Sequence, residues 1–138
     1  MTGTVDEKGG ISHPRPERGE PLIRTAPMPA DMNGNGDIFG GWVLSQMDIA
    51  GGIVAARRAQ GRVATVAVDA MTFHQPIKVG DIVSIYGEII RVGRSSMAVK
   101  LETIVARRLD PTEIKVTEGV YTYVAIDENG RPRPVPQP

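Results

Sequence analysis

The 138-residue chain carries 16 basic and 16 acidic side chains, so its formal net charge at neutral pH is zero. That balance argues against a nucleic-acid partner, because such partners bind mainly through many Lys and Arg contacts with phosphates. The absence of cysteine excludes disulfides, cysteine nucleophiles and thiolate metal sites, and the two histidines are too few for a multi-histidine metal centre. With no long apolar run and no secretory signal, we expect a cytoplasmic protein without membrane insertion.

Three segments are expected along the chain. Residues 1–20 are rich in Gly, Pro and charged residues and predict a flexible leader. Residues 21–128 carry the hydrophobic patterns of one globular domain. Residues 129–138 contain alternating prolines, which predict a loosely held, extended tail.

The first half of the domain predicts one strand and one helix. Residues 22–25 form a short apolar strand that Pro27 ends. After a loop rich in Gly and Asn, residues 41–59 predict a helix whose first part is apolar on nearly every side, which is typical of a buried helix. Gly61 then stands where a C′ glycine commonly ends a helix in the left-handed conformation.

The second half of the domain predicts four strands. They are Val63–Phe73, 81–92, 97–105 and 115–126, which are rich in β-branched residues and separated by short turn signals. Consecutive strands with short turns favour an antiparallel sheet. The expected fold is therefore α+β, with a curved antiparallel sheet wrapped around one long central helix. Because one sheet edge remains open, we expect at least a dimer formed by edge pairing.

The loop before the helix has three interpretations, of which two fit poorly. The spacing of its Asp and Asn residues matches the first half of a calcium-binding EF-hand loop, but Trp42 stands where a bidentate Glu is required. Its glycines match a dinucleotide-binding pattern only loosely, and no βαβ unit surrounds them. Neither calcium nor a dinucleotide is therefore favoured, and no metal site is expected.

The third interpretation is a catalytic loop that leads into a helix N-terminus. Gly40 and Gly41 let a ligand approach the backbone closely, and the first helix amides lack intrahelical partners. Such amides stabilise a carbonyl oxygen that gains negative charge. Asp48 lies about two turns further along, in the most apolar stretch, where a carboxylate is unfavourable unless it is hydrogen-bonded or used in chemistry.

Several motifs together resemble one family. The segments Asn33-Gly-Asn-Gly-Asp-Ile-Phe-Gly-Gly-Trp42 and Ser45-Gln-Met-Asp48 are similar to those of YciA-type bacterial hotdog acyl-CoA thioesterases, and the similarity extends over residues 22–135. The resemblance implies a hotdog fold and hydrolysis of acyl-CoA to a free acid and CoA, with no cofactor beyond the CoA of substrate and product. It also implies a homo-oligomer, commonly a trimer of dimers, with active sites at the dimer interface.

The resemblance also implies catalytic roles. Asp48 matches the catalytic carboxylate, and either activates a water as a general base or attacks the thioester and forms an anhydride. Asn33 matches the active-site asparagine that orients the water or the carbonyl. The amide of Gly41 or Gly40 matches the oxyanion donor. Because the site lies between subunits, Asn33 and Asp48 are expected to come from different copies of the chain.

Other residues are expected around the substrate. CoA carries phosphates, which guanidinium and hydroxyl groups bind well. The candidates are Arg57, Arg58 and Arg62 at the helix end, and Arg91, Arg94, Ser95 and Ser96 around the central turn, with Arg94 and Ser95 preferred. Phe73 and Met71 either line the acyl or pantetheine channel or pack in the core. Asp37 is interpreted as a turn or capping residue, and His74 as a structural or solvated side chain.

Two further functions remain compatible with the fold. A non-catalytic acyl-CoA sensor would bind the thioester without turnover, and a structural oligomerisation module would neither bind nor hydrolyse it. No DNA-binding segment accompanies the domain, which disfavours the sensor. Hydrolysis of acyl-CoA is therefore the leading hypothesis.

Overall fold

The computed structural model describes residues 4–5, 11–12, 19–110 and 112–138. In chain order the elements are β1 (Thr4–Val5), β2 (Ile11–Ser12), β3 (Ile23–Thr25), a 3-10 turn at Pro29–Asp31, α1 (Gly40–Ala59), β4 (Val63–Phe73), β5 (Ile82–Val92), β6 (Ser96–Ala106) and β7 (Glu113–Ala125). Strands β1 and β2 pair with each other. Most of the predicted leader, residues 1–20, lies outside the described residues.

The larger sheet contains five antiparallel strands in the order β3-β5-β6-β7-β4. The curled sheet wraps one side of α1, which contacts β4, β5, β6 and β7. Apolar side chains from the helix and the inner face of the sheet, such as Met47, Val99 and Leu101, form one core. The predicted arrangement of a curved antiparallel sheet around one long helix is thus confirmed.

The predicted bounds agree closely with the structure. The bounds of β4 are those predicted, α1 begins one residue earlier at Gly40, and the other strands differ by at most two residues at either end. Strand β4 begins just after Gly61 and ends before Pro76, so its ends follow local turn signals.

Two expectations about α1 were wrong. The helix is not buried on every side, because the sheet covers only one face of it, and Ile49 is 54% exposed. The left-handed residue at its end is Gln60, with φ of 55°, rather than Gly61. Gly61 instead leaves space for a guanidinium, since a Cβ atom there would lie 2.5 Å from Nη2 of Arg133.

The C-terminal segment was expected to be loosely held, and this was wrong for residues 133–136. The guanidinium of Arg133 donates from Nη2 to the carbonyl of Ala59 at 2.8 Å, at the C-terminus of α1. Val135 is 2% exposed and its amide donates to the carbonyl of Arg94 at 2.7 Å. An extended proline-rich chain turns alternate side chains and amides toward its neighbours, which lets it join the helix end to the β5–β6 turn.

Strand β4 forms one end of the five-stranded sheet. Its outer edge therefore has no partner strand within the described part of the chain. Val66 and Val68 on this strand are 57% and 46% exposed, and Ile49 of α1 is also exposed. An unpaired edge that carries exposed β-branched residues is suited to pairing with another strand.

Candidate functional site

The loop before α1 is closed by Asn33. Its side-chain Oδ1 accepts hydrogen bonds from the main-chain amides of Asn35 at 2.8 Å and Asp37 at 3.1 Å. Its own main-chain amide donates to the carbonyl of Asp37 at 2.7 Å. Asn side chains commonly close turns in this way. The loop is thereby held in one shape immediately before the first turn of the helix.

A groove of about 380 Å³ lies between this loop, the start of α1 and the end of β4. Its lining is Asn33, Asp37, Ile38, Gly40, Val43, Phe73, His74, Gln75, Pro76, Ile77 and Val116. The walls are mainly apolar, with a few polar groups at the loop, which is the usual composition of a small-molecule site. Phe73, the predicted channel residue, is half exposed in this groove.

Two polar side chains of the groove, those of Asp37 and His74, lie beside charged groups. The carboxylate of Asp37 accepts a short hydrogen bond from the ammonium of Lys78. Nε2 of His74 lies 3.6 Å from Oε2 of Glu118, and its amide donates to the carbonyl of Val116. Asp37 and His74 therefore contribute to the wall of the groove through fixed contacts.

The N-terminus of α1 reaches this groove. Within the described part of the chain, the amides of Gly40 and Gly41 have no hydrogen-bond acceptor, and Gly40 itself lines the groove. A Cβ atom on Gly40 would lie 3.7 Å from the ring of Phe73, so the backbone runs close beside the groove wall. These amides carry the positive end of the helix dipole and suit an oxygen with negative charge.

Asp48 lies near the middle of α1 and is held by two hydroxyl groups. Its Oδ1 accepts hydrogen bonds from Oγ1 of Thr65 at 2.6 Å and from the hydroxyl of Tyr123 at 3.0 Å. The Tyr123 hydroxyl also lies 2.9 Å from the carbonyl oxygen of Asp48. Oδ2 has no hydrogen-bond donor among residues 19–110 and 112–138.

The environment keeps both neighbouring tyrosines protonated. Burial, and then the negative charge of Asp48, raises the pKa of Tyr121 to about 12. The same two causes, with the hydrogen bond to Asp48, raise the pKa of Tyr123 further. Tyr121 donates to the carbonyl of Leu44 at 2.9 Å, one helical turn before Asp48. The two rings stack with their centroids 6.4 Å apart.

The structure does not bring Asp48 to the groove of the same chain. Neither Asp48 nor its partners Thr65 and Tyr123 line that groove. Gly40 and Asp48 are eight positions apart on one helix, which separates them by about 12 Å along its axis. One copy of the chain thus presents the loop and helix amides in one place and the carboxylate in another.

The predicted phosphate-binding residues gather at the opposite end of α1. Arg58 donates to the carbonyl of Pro136 at 2.5 Å, and Arg62 lies 3.4 Å from each of the carbonyl oxygens of Asp127 and Glu128. These two guanidiniums are therefore engaged with the C-terminal part of the chain. The side chain of Arg57 is exposed.

The turn between β5 and β6 carries a second set of candidate phosphate-binding residues at the same end of α1. Arg91 and Arg94 are exposed, and Ser95 and Ser96 are half buried. The C-terminal segment contacts both Arg94 and the end of α1, so the two sets lie on one side of the molecule. The helix places this side about 30 Å from the groove at Gly40.

Met71 was expected either to line the channel or to pack in the core. Its side chain packs beside Gly119, and its sulfur accepts a hydrogen bond from the hydroxyl of Thr117.

Sequence reasoning missed Thr65 and Tyr123, the two partners of Asp48. One signal was available, because Tyr121 and Tyr123 alternate along β7 and so share one face of the strand. A tyrosine buried in a core needs an acceptor for its hydroxyl. The carboxylate that interrupts the apolar helix was one possible acceptor, but the sequence alone does not say which side chain it meets.

A metal-binding cluster and a membrane-spanning helix both have no counterpart among the described residues. Residues 4–5, 11–12, 19–110 and 112–138 contain no group of three or more His, Cys, Asp or Glu side chains placed to hold a metal ion. In the same residues, no helix is long and apolar enough to cross a membrane.

Comparison with known proteins identifies the family. The sequence profile of the thioesterase superfamily matches residues 35–110. An uncharacterized acyl-CoA thioester hydrolase of Haemophilus influenzae is 47% identical over 140 residues, which cover 99% of this chain and 88% of the relative. The acyl-CoA thioester hydrolase YciA of Escherichia coli is 46% identical over 122 residues, which cover 86% of this chain and 92% of the relative.

Solved structures agree with this assignment. The hexameric thioesterase y2039 from Yersinia pestis has a TM-score of 0.82 and 51% identity, with 87% of this chain and 98% of that chain covered. HI0827, a hexameric broad specificity acyl-coenzyme A thioesterase solved as an aspartate-to-alanine mutant, has a TM-score of 0.82 and 50% identity, with 86% and 88% covered. A hexameric hotdog fold thioesterase of Campylobacter jejuni has a TM-score of 0.83 and 37% identity, with 87% and 92% covered. The chain belongs to the hotdog-fold thioesterase superfamily, in the group of YciA-type acyl-CoA thioester hydrolases.

Proposed function

We propose that this protein is an acyl-CoA thioesterase that releases a free acid and CoA, with Asp48 as its catalytic carboxylate. The observation that carries the proposal is the position of Asp48, a half-buried carboxylate on a mainly apolar helix. Hydroxyl groups hold one carboxylate oxygen, and the other has no donor in the described residues. A carboxylate placed in an apolar helix and only half satisfied is typical of a functional group.

The chemistry needs few groups. In the general-base route, Oδ2 of Asp48 takes a proton from water as the water oxygen bonds to the thioester carbonyl carbon. The amides of Gly40 and Gly41 stabilise the resulting oxyanion. The C–S bond then breaks and the sulfur takes the proton from Asp48, which leaves a carboxylic acid and the CoA thiol. In the alternative route, Asp48 attacks the carbonyl carbon, the C–S bond breaks, and CoA leaves as a thiolate that takes a proton from water. Water then hydrolyses the anhydride, which releases the free acid and restores the carboxylate of Asp48.

The proposed active site combines two copies of the chain. Asn33 and the helix amides lie at the groove, whereas Asp48 lies about 12 Å further along the helix, too far to act on the same carbonyl. Pairing of β4 edges across a two-fold axis would cover exposed Val68 and Ile49. It would also bring Asp48 of one copy toward the groove of the other. We propose a trimer of such dimers, which would form a hexamer, the assembly named for several similar solved structures.

The remaining substrate contacts follow from this arrangement. Phe73 and the apolar groove walls would hold the acyl or pantetheine chain. Arg57, Arg91 and Arg94, with Ser95 and Ser96, would bind the phosphates of CoA, whereas Arg58 and Arg62 would contribute mainly to the fold because their guanidiniums contact main-chain carbonyls. No cofactor is part of the proposal. The proposal does include a cytoplasmic location, because CoA thioesters are formed and used there.

Release of free thiol from acyl-CoAs of increasing chain length tests the proposed activity. The chain has no cysteine, so a thiol reagent reports CoA alone. Asp48→Asn should abolish release and retain CoA binding, whereas Asp110→Asn, at an exposed loop, should behave as wild type. Release that survives in Asp48→Asn would contradict the catalytic assignment. Binding without release in the wild-type protein would instead support a sensor.

Complementation tests the shared site. Asn33→Ala and Asp48→Asn should each be inactive alone. When the two are co-expressed and randomly paired, every mixed dimer has one intact site, so activity should recover to about a quarter of wild type. A mixture that stays inactive, although mixed dimers are isolated through two different tags, would contradict a site shared between subunits.

A further inference from the structure

The contacts of Asp48 come from two neighbouring strands. Thr65 of β4 and Tyr123 of β7 stand directly opposite each other in the sheet register, so their side chains lie on one face of adjacent strands. Both hydroxyl groups donate to the same atom, Oδ1 of Asp48, at 2.6 and 3.0 Å. The carboxylate is thus fixed by a matched pair of donors rather than by one flexible contact.

Tyr123 has one hydroxyl proton, which it shares between two acceptor oxygens of Asp48. Its hydroxyl faces both the carboxylate and the main-chain carbonyl of Asp48, so it holds the backbone and the side chain of one residue together. Burial and the charge of Asp48 raise the pKa of Tyr123, which keeps the hydroxyl protonated and able to donate. Gly51, one turn further along α1, provides the space, because a Cβ atom there would lie 2.2 Å from this hydroxyl.

We propose that Thr65 and Tyr123 are positioning residues that bind Oδ1 of Asp48 and thereby present Oδ2 as the reacting oxygen. This inference rests on the proposed role of Asp48 in thioester hydrolysis. A partial rotation of the carboxylate about its Cβ–Cγ bond would tilt its plane and turn the lone pairs of Oδ2 away from the reacting atom. Two donors on one oxygen prevent this rotation, and they do so whether Oδ2 activates water or attacks the carbonyl carbon.

The sheet supplies a matched control for Tyr123. Tyr121 stacks on it and also donates to a helix carbonyl at 2.9 Å, that of Leu44, but makes no hydrogen bond with the carboxylate. Tyr121→Phe and Tyr123→Phe therefore each remove one helix–strand anchor, and only Tyr123→Phe also removes a donor from Oδ1. Thr65→Val removes the second donor with little change of shape, and Thr65→Ser restores a hydroxyl.

The kinetic constants for acyl-CoA hydrolysis test the proposal. Tyr123→Phe and Thr65→Val should each lower kcat by about 10- to 100-fold, as misplacement of a reacting group by a fraction of an ångström does, with little change in KM. Tyr121→Phe and Thr65→Ser should keep kcat near wild type. Urea unfolding should show similar midpoints for Tyr121→Phe and Tyr123→Phe, which would assign the kinetic difference to the carboxylate contact.

Three outcomes overturn the proposal in different ways. Equal kcat for Tyr123→Phe and Tyr121→Phe, with Asp48→Asn inactive, would make Tyr123 a structural anchor and leave the proposed function intact. Failure of Thr65→Ser to exceed Thr65→Val would remove Thr65 from the pair. Full activity of Asp48→Asn would reject the catalytic carboxylate and, with it, any positioning of its oxygens.

Discussion

The hydroxyl of Tyr123 packs directly against Gly51 of α1 and leaves no room for a side chain there. A Cβ atom on Gly51 would lie only 2.2 Å from that oxygen. The same Cβ would lie 2.9 Å from a methyl group of Leu101. Glycine weakens a helix interior, so its presence here needs a compensating contact. That contact is the close approach of β7 to the helix, which lets the tyrosine reach Asp48.

Gly51→Ala should therefore destabilise the fold although alanine favours helices. Overpacking of this kind lowers the free energy of unfolding by about 1–3 kcal/mol. Gly52→Ala is the matched control, because its Cβ would meet Tyr123 only at 4.0 Å, an ordinary contact. It should be neutral or stabilising by up to about 1 kcal/mol. Urea unfolding of both variants at one protein concentration measures the difference, and equal stability of the two would contradict the packing argument.

The C-terminal segment supports a second prediction. Arg133 donates to the carbonyl of Ala59 at 2.8 Å and to that of Ile126 at 3.1 Å, so it closes the C-terminus of α1. Arg133→Ala should lower the free energy of unfolding by about 1–3 kcal/mol, the usual effect of losing charged hydrogen bonds to buried carbonyls. Arg131→Ala removes the same charge from an exposed side chain and should have little effect. Thermal unfolding of the two variants checks this, and similar losses would show that charge alone is responsible.

Local signals in the sequence were enough to predict the order and bounds of the main elements. The end of β3 precedes Pro27, and β4 lies between Gly61 and Pro76. Each of these signals acts on its own neighbours, so no knowledge of the rest of the chain was needed. The apolar helix followed by strands similarly predicted a sheet wrapped around a helix, which the structure confirms.

Contacts between distant residues could not be predicted in the same way. Asp48 is 17 residues from Thr65 and 75 residues from Tyr123, and their meeting depends on the register between β4 and β7. Hydrophobic periodicity predicts which face of a strand is buried, but not which strand lies beside it. The presence of Asp48 at a special position was therefore predictable, whereas its partners were not.

The prediction of a loosely held C-terminal segment was wrong for a related reason. Val135 is a single apolar residue among prolines, and one residue carries no periodic signal. Its burial depends on the space between the end of α1 and the β5–β6 turn, which exists only after the sheet has formed. Composition therefore predicted an extended conformation and gave no indication of the packing.

A cluster of charges on β6 and β7 leads to a third prediction. Glu102 and Glu118 stand directly opposite each other, and Nζ of Lys115 lies 3.0 and 3.4 Å from their carboxylates. Lys115→Met leaves two like charges adjacent and should lower the free energy of unfolding at neutral pH by about 0.2–1 kcal/mol. In a Glu118→Gln background the same change should have a smaller effect, which a double-mutant cycle measures.

The change in the free energy of unfolding caused by Lys115→Met should also depend on pH. Burial alone would raise the pKa of Glu118, but the hydrogen bond and charge of Lys115, the hydrogen bond from His74 and the charge of Lys100 together outweigh it and hold the pKa below the ordinary value of 4.5. A lowered pKa contributes stability above the unfolded value, and this contribution is lost as the pH falls through the folded one. The difference between wild type and Lys115→Met should therefore shrink below about pH 4.5. A difference that stays constant down to pH 3 would contradict the ion-pair explanation.

At alkaline pH, the two stacked tyrosines should limit stability. Burial, followed by the charge of Asp48, raises the pKa of Tyr121 from 10.0 to about 12, and Tyr123 is raised in the same direction. A raised pKa means that the unfolded chain loses its tyrosine protons first, above pH 10. The free energy of unfolding should then fall as the pH rises from 10 to 12, by at most about 1.4 kcal/mol per pH unit for each tyrosine.

Phenylalanine variants isolate this contribution. The hydrogen bond with Glu102 raises the pKa of Lys115, whose contribution is also lost at high pH, so the slope of the wild-type protein alone does not identify the tyrosines. Tyr121→Phe and Tyr123→Phe lack the titrating group and should each show a shallower decline in unfolding free energy above pH 10. Urea unfolding at pH 8, 10 and 11 measures the three slopes. Parallel curves for all three proteins would show that neither hydroxyl is buried as the structure describes.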